Sequence, residues 1–81
     1  MRYFFNESCR ADLRDDTGLE LANHNEARIM AVKYASEMLR DHPTLIWSGE
    51  DFRVEVEDEA GLLQFTIVIV GVDAPAAQGA A

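Results

Sequence analysis

One amphipathic helix, with strand-forming segments on both sides of it, limits the folds that this chain can adopt. Behind Asn23, apolar residues recur at the spacing of a single helical face. They are Ala27, Met30, Ala31, Tyr34, Ala35, Met38 and Leu39. Asn23 and Glu26 form a capping-box pattern at its start. Pro43 ends the helix because the residue before a proline avoids helical backbone angles. The small alanines of the stripe predict a helix that lies close to a sheet.

Strand-forming segments precede and follow this helix. Residues 1–8 are rich in aromatic residues, and residues 11–15 are interpreted as a return strand after a polar turn at 7–10. After the helix, residues 51–57 alternate between apolar and charged side chains, and residues 62–72 are largely apolar on both parities. The order ββαββ predicts an α+β domain, in which one helix packs on one face of a four-stranded antiparallel sheet.

The apolar faces also suggest an order of strands within the sheet. The first and last strands, apolar on both faces, are predicted to lie in the middle. The charged strand at 51–57 suits an edge, where charges discourage unwanted pairing. The domain is predicted to span residues 1–73, followed by a disordered Ala-rich tail at 74–81.

Composition excludes several classes of partner. The 81 residues carry a net charge of −8 and scattered basic residues, which argues against nucleic acid and against anionic membranes. Apolar runs are too short to span a membrane. The single cysteine, Cys9, excludes an internal disulfide and favours a reducing cytoplasm. Cys9, His24 and His42 lack the spacing of a metal site, so no metal or cofactor is expected.

No pattern in the chain assembles a nucleophile, a base and an oxyanion site, so we expect no enzyme. Asp16, Thr17 and Gly18 match the D-T-G motif of aspartic proteases, but the apolar strand that normally precedes it is absent. We interpret the segment at 15–18 as a tight turn in which Gly18 takes a positive φ.

Residues 50–59 hold six acidic residues and one arginine. A solvated strand face followed by a hairpin tip accounts for this run. The alternative is a docking surface for a basic partner protein, where charge would raise the association rate.

Five apolar residues are candidates for an interface. Val68, Val70 and Val72, with Phe4 as an expected neighbour, would form an apolar strip on the sheet face without a helix. Either the strip binds another chain, or the loop of Trp47 or the tail covers it. Trp47 itself is interpreted either as a lid on the core or as an anchor for a partner.

Four motifs resemble those of a family of short bacterial proteins that is catalogued only as a domain of unknown function. The family shows R-Y-[FY]-F, D-x-x-G-x-E-L, an E-A helix and V-x-V-x-D-E-x-G ahead of a last apolar strand. Here these motifs stand at 2–5, 15–21, 26–27 and 54–61. The resemblance implies this architecture and a bacterial cytoplasmic setting, and it implies no activity.

The function expected from these observations is a small noncatalytic interaction module that self-associates, with a homodimer as the expected oligomer. Self-association is expected because so small a domain, without disulfides or metals, gains stability from a partner chain. The alternative is an antitoxin-like or regulatory protein that binds a basic partner.

Overall fold

The strands of this chain form one antiparallel sheet with a single helix across it. A computed structural model describes residues 1–9 and 11–77. Its elements are β1 (Arg2–Cys9), β2 (Ala11–Leu13), β3 (Leu19–Glu20), α1 (His24–Asp41), β4 (Phe52–Glu57) and β5 (Leu63–Ile69), with 3-10 turns at Leu45–Trp47 and Pro75–Ala77. The sheet order is β2-β1-β4-β5, and β3 also pairs with β1. The predicted α+β class is confirmed, with the short β3 as an additional strand.

The helix begins and packs as its sequence predicts. The Asn23 side chain accepts a hydrogen bond from the backbone N–H of Glu26 at 2.9 Å. The Glu26 carboxylate in turn accepts from the N–H of Ala22 at 2.8 Å. The first bond satisfies an N–H group that the first turn of a helix leaves unpaired, and the second ties the residue before the cap to the same turn. The buried side of α1 consists of Ala27, Ala31 and Ala35, which form one core with Phe52, Val54 and Val56 of β4.

The prediction that the first strand lies inside the sheet is confirmed for β1, but the other two predicted positions are wrong, because β4 lies inside the sheet and β5 lies at its edge. β4 pairs with β1 on one side and with β5 on the other. Its apolar residues, Phe52, Val54 and Val56, are 1%, 0% and 0% exposed beneath the helix. Its charged residues occupy the opposite face, which no helix covers. A central strand therefore needs only one apolar face when a single helix covers the sheet.

The outer edge of β1 is covered along its length by one returning segment. β3 pairs with Arg2 and Tyr3, and β2 pairs with Glu7, Ser8 and Cys9. Between them, the Asp15 carboxylate accepts the N–H of Phe5 at 3.1 Å. The predicted turn at 7–10 is therefore wrong for residues 7–9, which extend β1, and Arg10 lies outside the described residues.

The Asp15 side chain holds the tight turn that is predicted at 15–18. Asp15 Oδ1 accepts the N–H groups of Thr17 and Gly18, both at 3.0 Å. Its own N–H donates to the buried Asn6 Oδ1 at 2.9 Å. Gly18 has a φ of +73°, which confirms the predicted positive value.

We expect Asp15→Asn to destabilise the fold by about 1–2 kcal/mol at pH 7, because one carboxylate oxygen that accepts backbone N–H groups is lost from a partly exposed site. Partial burial raises the pKa of Asp15, but bonds from Gly18, Phe5 and Thr17, with the charge of Arg2, lower it below its ordinary value overall. This stabilisation is present above the unfolded-state pKa and is lost as the pH falls through the folded-state pKa. Urea unfolding should therefore show a difference between the two proteins that shrinks below about pH 4.

Asp16→Asn is the matched control, because Asp16 is exposed and, among the described residues, accepts only from the Thr17 hydroxyl, at 3.3 Å. Its stability should stay within about 0.5 kcal/mol of the wild type. Equal losses in the two variants would contradict the role given to Asp15.

The predicted tail at 74–81 falls partly within the described residues. Pro75–Ala77 form one 3-10 turn, and residues 78–81 lie outside the description, so the predicted disorder stays a prediction. In the described part of the chain, no helix is long and apolar enough to cross a membrane.

Candidate functional site

The outer edge of β5 is the most exposed strand edge of the sheet. β5 is seven residues long, and no other strand in residues 1–9 and 11–77 pairs with its outer side. Residues 62–72 contain no charged residue and no proline. Proteins usually protect such edges with charges, prolines, bulges or very short strands. Here a register shift at Gln64 disturbs one end only, which leaves Phe65–Ile69 as a regular edge.

Apolar side chains lie on both faces of β5. Phe65, Ile67 and Ile69 point to the helix side, where they pack against the core and stay partly exposed. They are incompletely covered because the buried alanines of α1 lie over β4 instead. On the open face, Val68 is 49% exposed, and Val70, just beyond the end of β5, is 56% exposed. The β5 edge thus carries apolar surface above and below the plane of the sheet.

Trp47 packs at the end of this edge. A Cβ atom built on Gly71 would lie only 2.7 Å from two carbons of the Trp47 ring, so the ring rests directly on the glycine. Trp47 is nevertheless 57% exposed. It lines a cavity of about 190 Å³ together with Ile46 and Val70. The residue therefore covers the chain just after β5 and still presents most of its surface to solvent.

Four of the five predicted interface residues gather at this end of β5, and Phe4 does not. Val68 lies on β5, Val70 and Val72 follow its end, and Trp47 lies beside Gly71 between the last two. Phe4 pairs with Glu57, whereas Val68 pairs with Arg53 at the other end of β4. The expectation that Phe4 neighbours the valines is wrong, because β4 and four residues of register separate them. The Phe4 ring instead lies against Gly18.

The acidic residues at 50–59 serve several local roles. Glu57 pairs with Arg14, and Asp51 pairs with Arg53, each at 3.3 Å. Asp58 Oδ1 accepts the N–H groups of Ala60 and Leu62 in the β4–β5 hairpin. These contacts agree with a strand face followed by a hairpin tip. Since β4 is central, the strand part of this charge lies along the middle of the open face.

Sequence reasoning missed one convergence of polar groups. Glu7, Cys9 and His42, from β1 and the end of α1, line a cavity of about 240 Å³ with four apolar residues. No spacing along the chain indicates this cavity, because it forms only when β1 and the helix end are packed together. The described residues include no group of three or more His, Cys, Asp or Glu side chains arranged to hold a metal ion. His24 instead packs edge-on against the Phe65 ring, at a centroid distance of 5.3 Å.

The motif residues of the chain have structural partners. Tyr3, Phe5, Val54 and Val56 fill the core. Asp15, Gly18, Glu26, Asp58 and Gly61 form turns and the helix cap. Glu59 accepts the N–H of Arg2 at 2.7 Å and joins the hairpin to β1. These motifs therefore specify a fold.

The molecule is thus an α+β domain defined by its turns, its cap and its core. A family defined as the domain of unknown function DUF6894 matches residues 2–70, and the chain belongs to that family. No curated protein matches the chain. No solved structure matches it either.

Proposed function

We propose that this protein is a noncatalytic interaction module that self-associates as a homodimer through the β5 edge. The observation that carries the proposal is the contrast between the two edges of the sheet. The returning segment of β2, Asp15 and β3 covers the outer side of β1. The outer side of β5 is long, uncharged and apolar on both faces. Its outward backbone N–H and C=O groups are available to another strand, because no strand of the described residues pairs with that side.

A second copy suits this edge because of the charge of the chain. At a net charge of −8, most faces of two copies repel each other. The 62–72 segment is uncharged, so two copies can pair there without burying a charge. Antiparallel pairing about a twofold axis places the same segment on both sides, as a symmetric interface requires. The half-covered Phe65, Ile67 and Ile69 of each copy would then lie side by side.

The proposal includes a bacterial cytoplasmic setting. Cys9 is the single cysteine, and its thiol donates to the Leu45 carbonyl oxygen at 3.6 Å. A partly buried thiol without a disulfide partner supports a reducing compartment.

Val68→Glu tests self-association. Each copy would gain a negative charge at the shared edge and lose an apolar contact, so we expect dimerisation to weaken at least about tenfold. Folding should be retained, because Val68 pairs directly with Arg53 across the strands and the new carboxylate gains an opposite charge there. Sedimentation equilibrium of the wild type and the variant measures the difference.

Ile29→Glu is the matched control, because it makes the same charge change at a 51% exposed position on α1. Its dimerisation constant should match that of the wild type within about threefold. A wild-type protein that stays monomeric at millimolar concentration would overturn the proposal, and so would equal weakening in the two variants.

A basic partner protein remains the second candidate, and the open face supports it. Glu55 lies half-buried on the central strand, and within the described residues no ion pair involves it. Such a partner would bind more weakly in high salt and to Glu55→Gln, and Val68→Glu, which adds a negative charge to the same open face, would not weaken its binding. Those results, from a protein that does not self-associate, would favour this function.

A further inference from the structure

A cavity lined mainly by apolar side chains opens at the C-terminal end of α1. Its volume is about 240 Å³. The residues that line it are Glu7, Cys9, Leu13, Met38, His42, Leu45 and Phe52. Phe52 is 1% exposed and belongs to the core, whereas Leu13 is 59% exposed at the rim. The opening thus combines an apolar floor with a few polar groups, which is the usual composition of a small-molecule site.

Glu7 is the charged group of this cavity. Burial raises the pKa of Glu7 above its ordinary value. Among residues 1–9 and 11–77, Arg14 and Arg53 pair with Glu57 and Asp51, and no ion pair involves the Glu7 carboxylate. A partly desolvated carboxylate without a cation beside it favours a positively charged ligand.

The other polar groups of the cavity already have partners or stand at its rim. The Cys9 thiol donates to the Leu45 carbonyl oxygen. The backbone N–H of His42 donates to the Met38 carbonyl at 2.9 Å as the helix ends, and the His42 side chain is exposed. Glu7 is therefore the polar group that distinguishes one ligand charge from another.

We propose that this cavity binds a small primary amine with an apolar body. The ammonium group would bind the Glu7 carboxylate, and the apolar body would pack on Phe52, Met38 and Leu45. A volume of 240 Å³ corresponds to about eight water molecules, so the ligand has about eight to ten non-hydrogen atoms. An arylalkylamine meets both requirements. This inference is independent of the proposed function, because no residue of β5 lines the cavity.

Titration with phenethylamine, followed by two-dimensional ¹H–¹⁵N NMR, tests the site. A ligand of this size is expected to bind with a dissociation constant on the order of 1 mM. The amide signals of Glu7, Cys9, Met38 and Leu45 should move together. Glu7→Gln should weaken binding about tenfold, the loss expected when a charge-assisted bond becomes a neutral one. The uncharged 2-phenylethanol should bind as weakly to the wild type as phenethylamine binds to the variant.

Glu55→Gln is the control, because it removes the same charge from the open face and should leave binding unchanged. The spectrum of each variant without ligand shows whether the fold is retained. Equal affinity for the amine and the alcohol would overturn the proposal. So would unchanged binding to folded Glu7→Gln, or signal changes scattered over the acidic surface, which would indicate nonspecific attraction of a cation.

Discussion

Gly18→Ala is expected to lower the free energy of unfolding by about 2–4 kcal/mol, a large part of the stability of so small a domain. Two costs combine at this position. The backbone has a φ of +73°, which side chains with a Cβ rarely adopt. The added Cβ would also lie 2.8 Å from Arg2 Cγ and 2.9 Å from Phe4 Cε1. Thermal unfolding should show a melting temperature lower by more than about 10 °C.

Gly61→Ala separates the two costs. Gly61 has a similar φ of +79°, and apart from its chain neighbours no atom of the described residues lies within 4 Å of the Cβ position. Only backbone strain is added there, so the loss should be about 1 kcal/mol. The difference in the free energy of unfolding between Gly18→Ala and Gly61→Ala gives the cost of the steric overlap where the 15–18 turn lies close to β1. Equal losses would show that Arg2 and Phe4 move aside freely, which would contradict the packing described for this turn.

Ala31→Leu is expected to destabilise the fold by about 1–3 kcal/mol. Ala31 is 0% exposed and packs in the core beneath α1 with Val54 and Val56 of β4. Leucine forms helix nearly as well as alanine, so the loss comes from the three added carbons that must fit between helix and sheet. Urea unfolding at neutral pH measures the change.

Val32→Leu is the control at the next position of the same helix. Val32 is 55% exposed, so one added carbon meets solvent and the stability should change by less than about 0.5 kcal/mol. An Ala31→Leu protein as stable as the wild type would mean that α1 does not lie close to the sheet.

The helix and the 15–18 turn could be predicted because their signals are local. The spacing from Ala27 to Leu39 defines one face of a helix, and Asn23 with Glu26 marks its start. Asp15 and Gly18 belong to a turn whose hydrogen bonds join residues two or three positions apart. Contacts with the rest of the fold change neither the helix nor the turn.

The strand order could not be predicted in this way. Alternation along 51–57 shows that one face is apolar, and it does not show which strands lie beside that segment. The helix covers only one face, so β4 can be central with a charged open face. The same limit explains why the predicted contact between Phe4 and the valines is wrong. The distance from Phe4 to Val68 depends on the register of two strand pairs.

The two candidate sites differ in the same way, because one is indicated by residue types in the sequence and the other depends on tertiary packing. Trp47 and the three valines could be singled out from the sequence because they are apolar and lie outside the helix stripe, and their role as an interface stays a prediction. The cavity around Glu7 depends on the packing of β1, β2 and the end of α1. Its residues are scattered along the chain and share no periodicity, so only the folded structure brings them together.

The central claim is that the β5 edge pairs with a second copy, and amide hydrogen exchange tests it most directly. In an antiparallel pair, alternate N–H groups of β5 bond to β4 and the others point away from the sheet. Exchange is measured at a micromolar and at a millimolar protein concentration. If the β5 edge pairs in this way, the outward amides between Phe65 and Ile69 exchange at least about tenfold more slowly at the higher concentration. Equal exchange of these amides at both concentrations would contradict it.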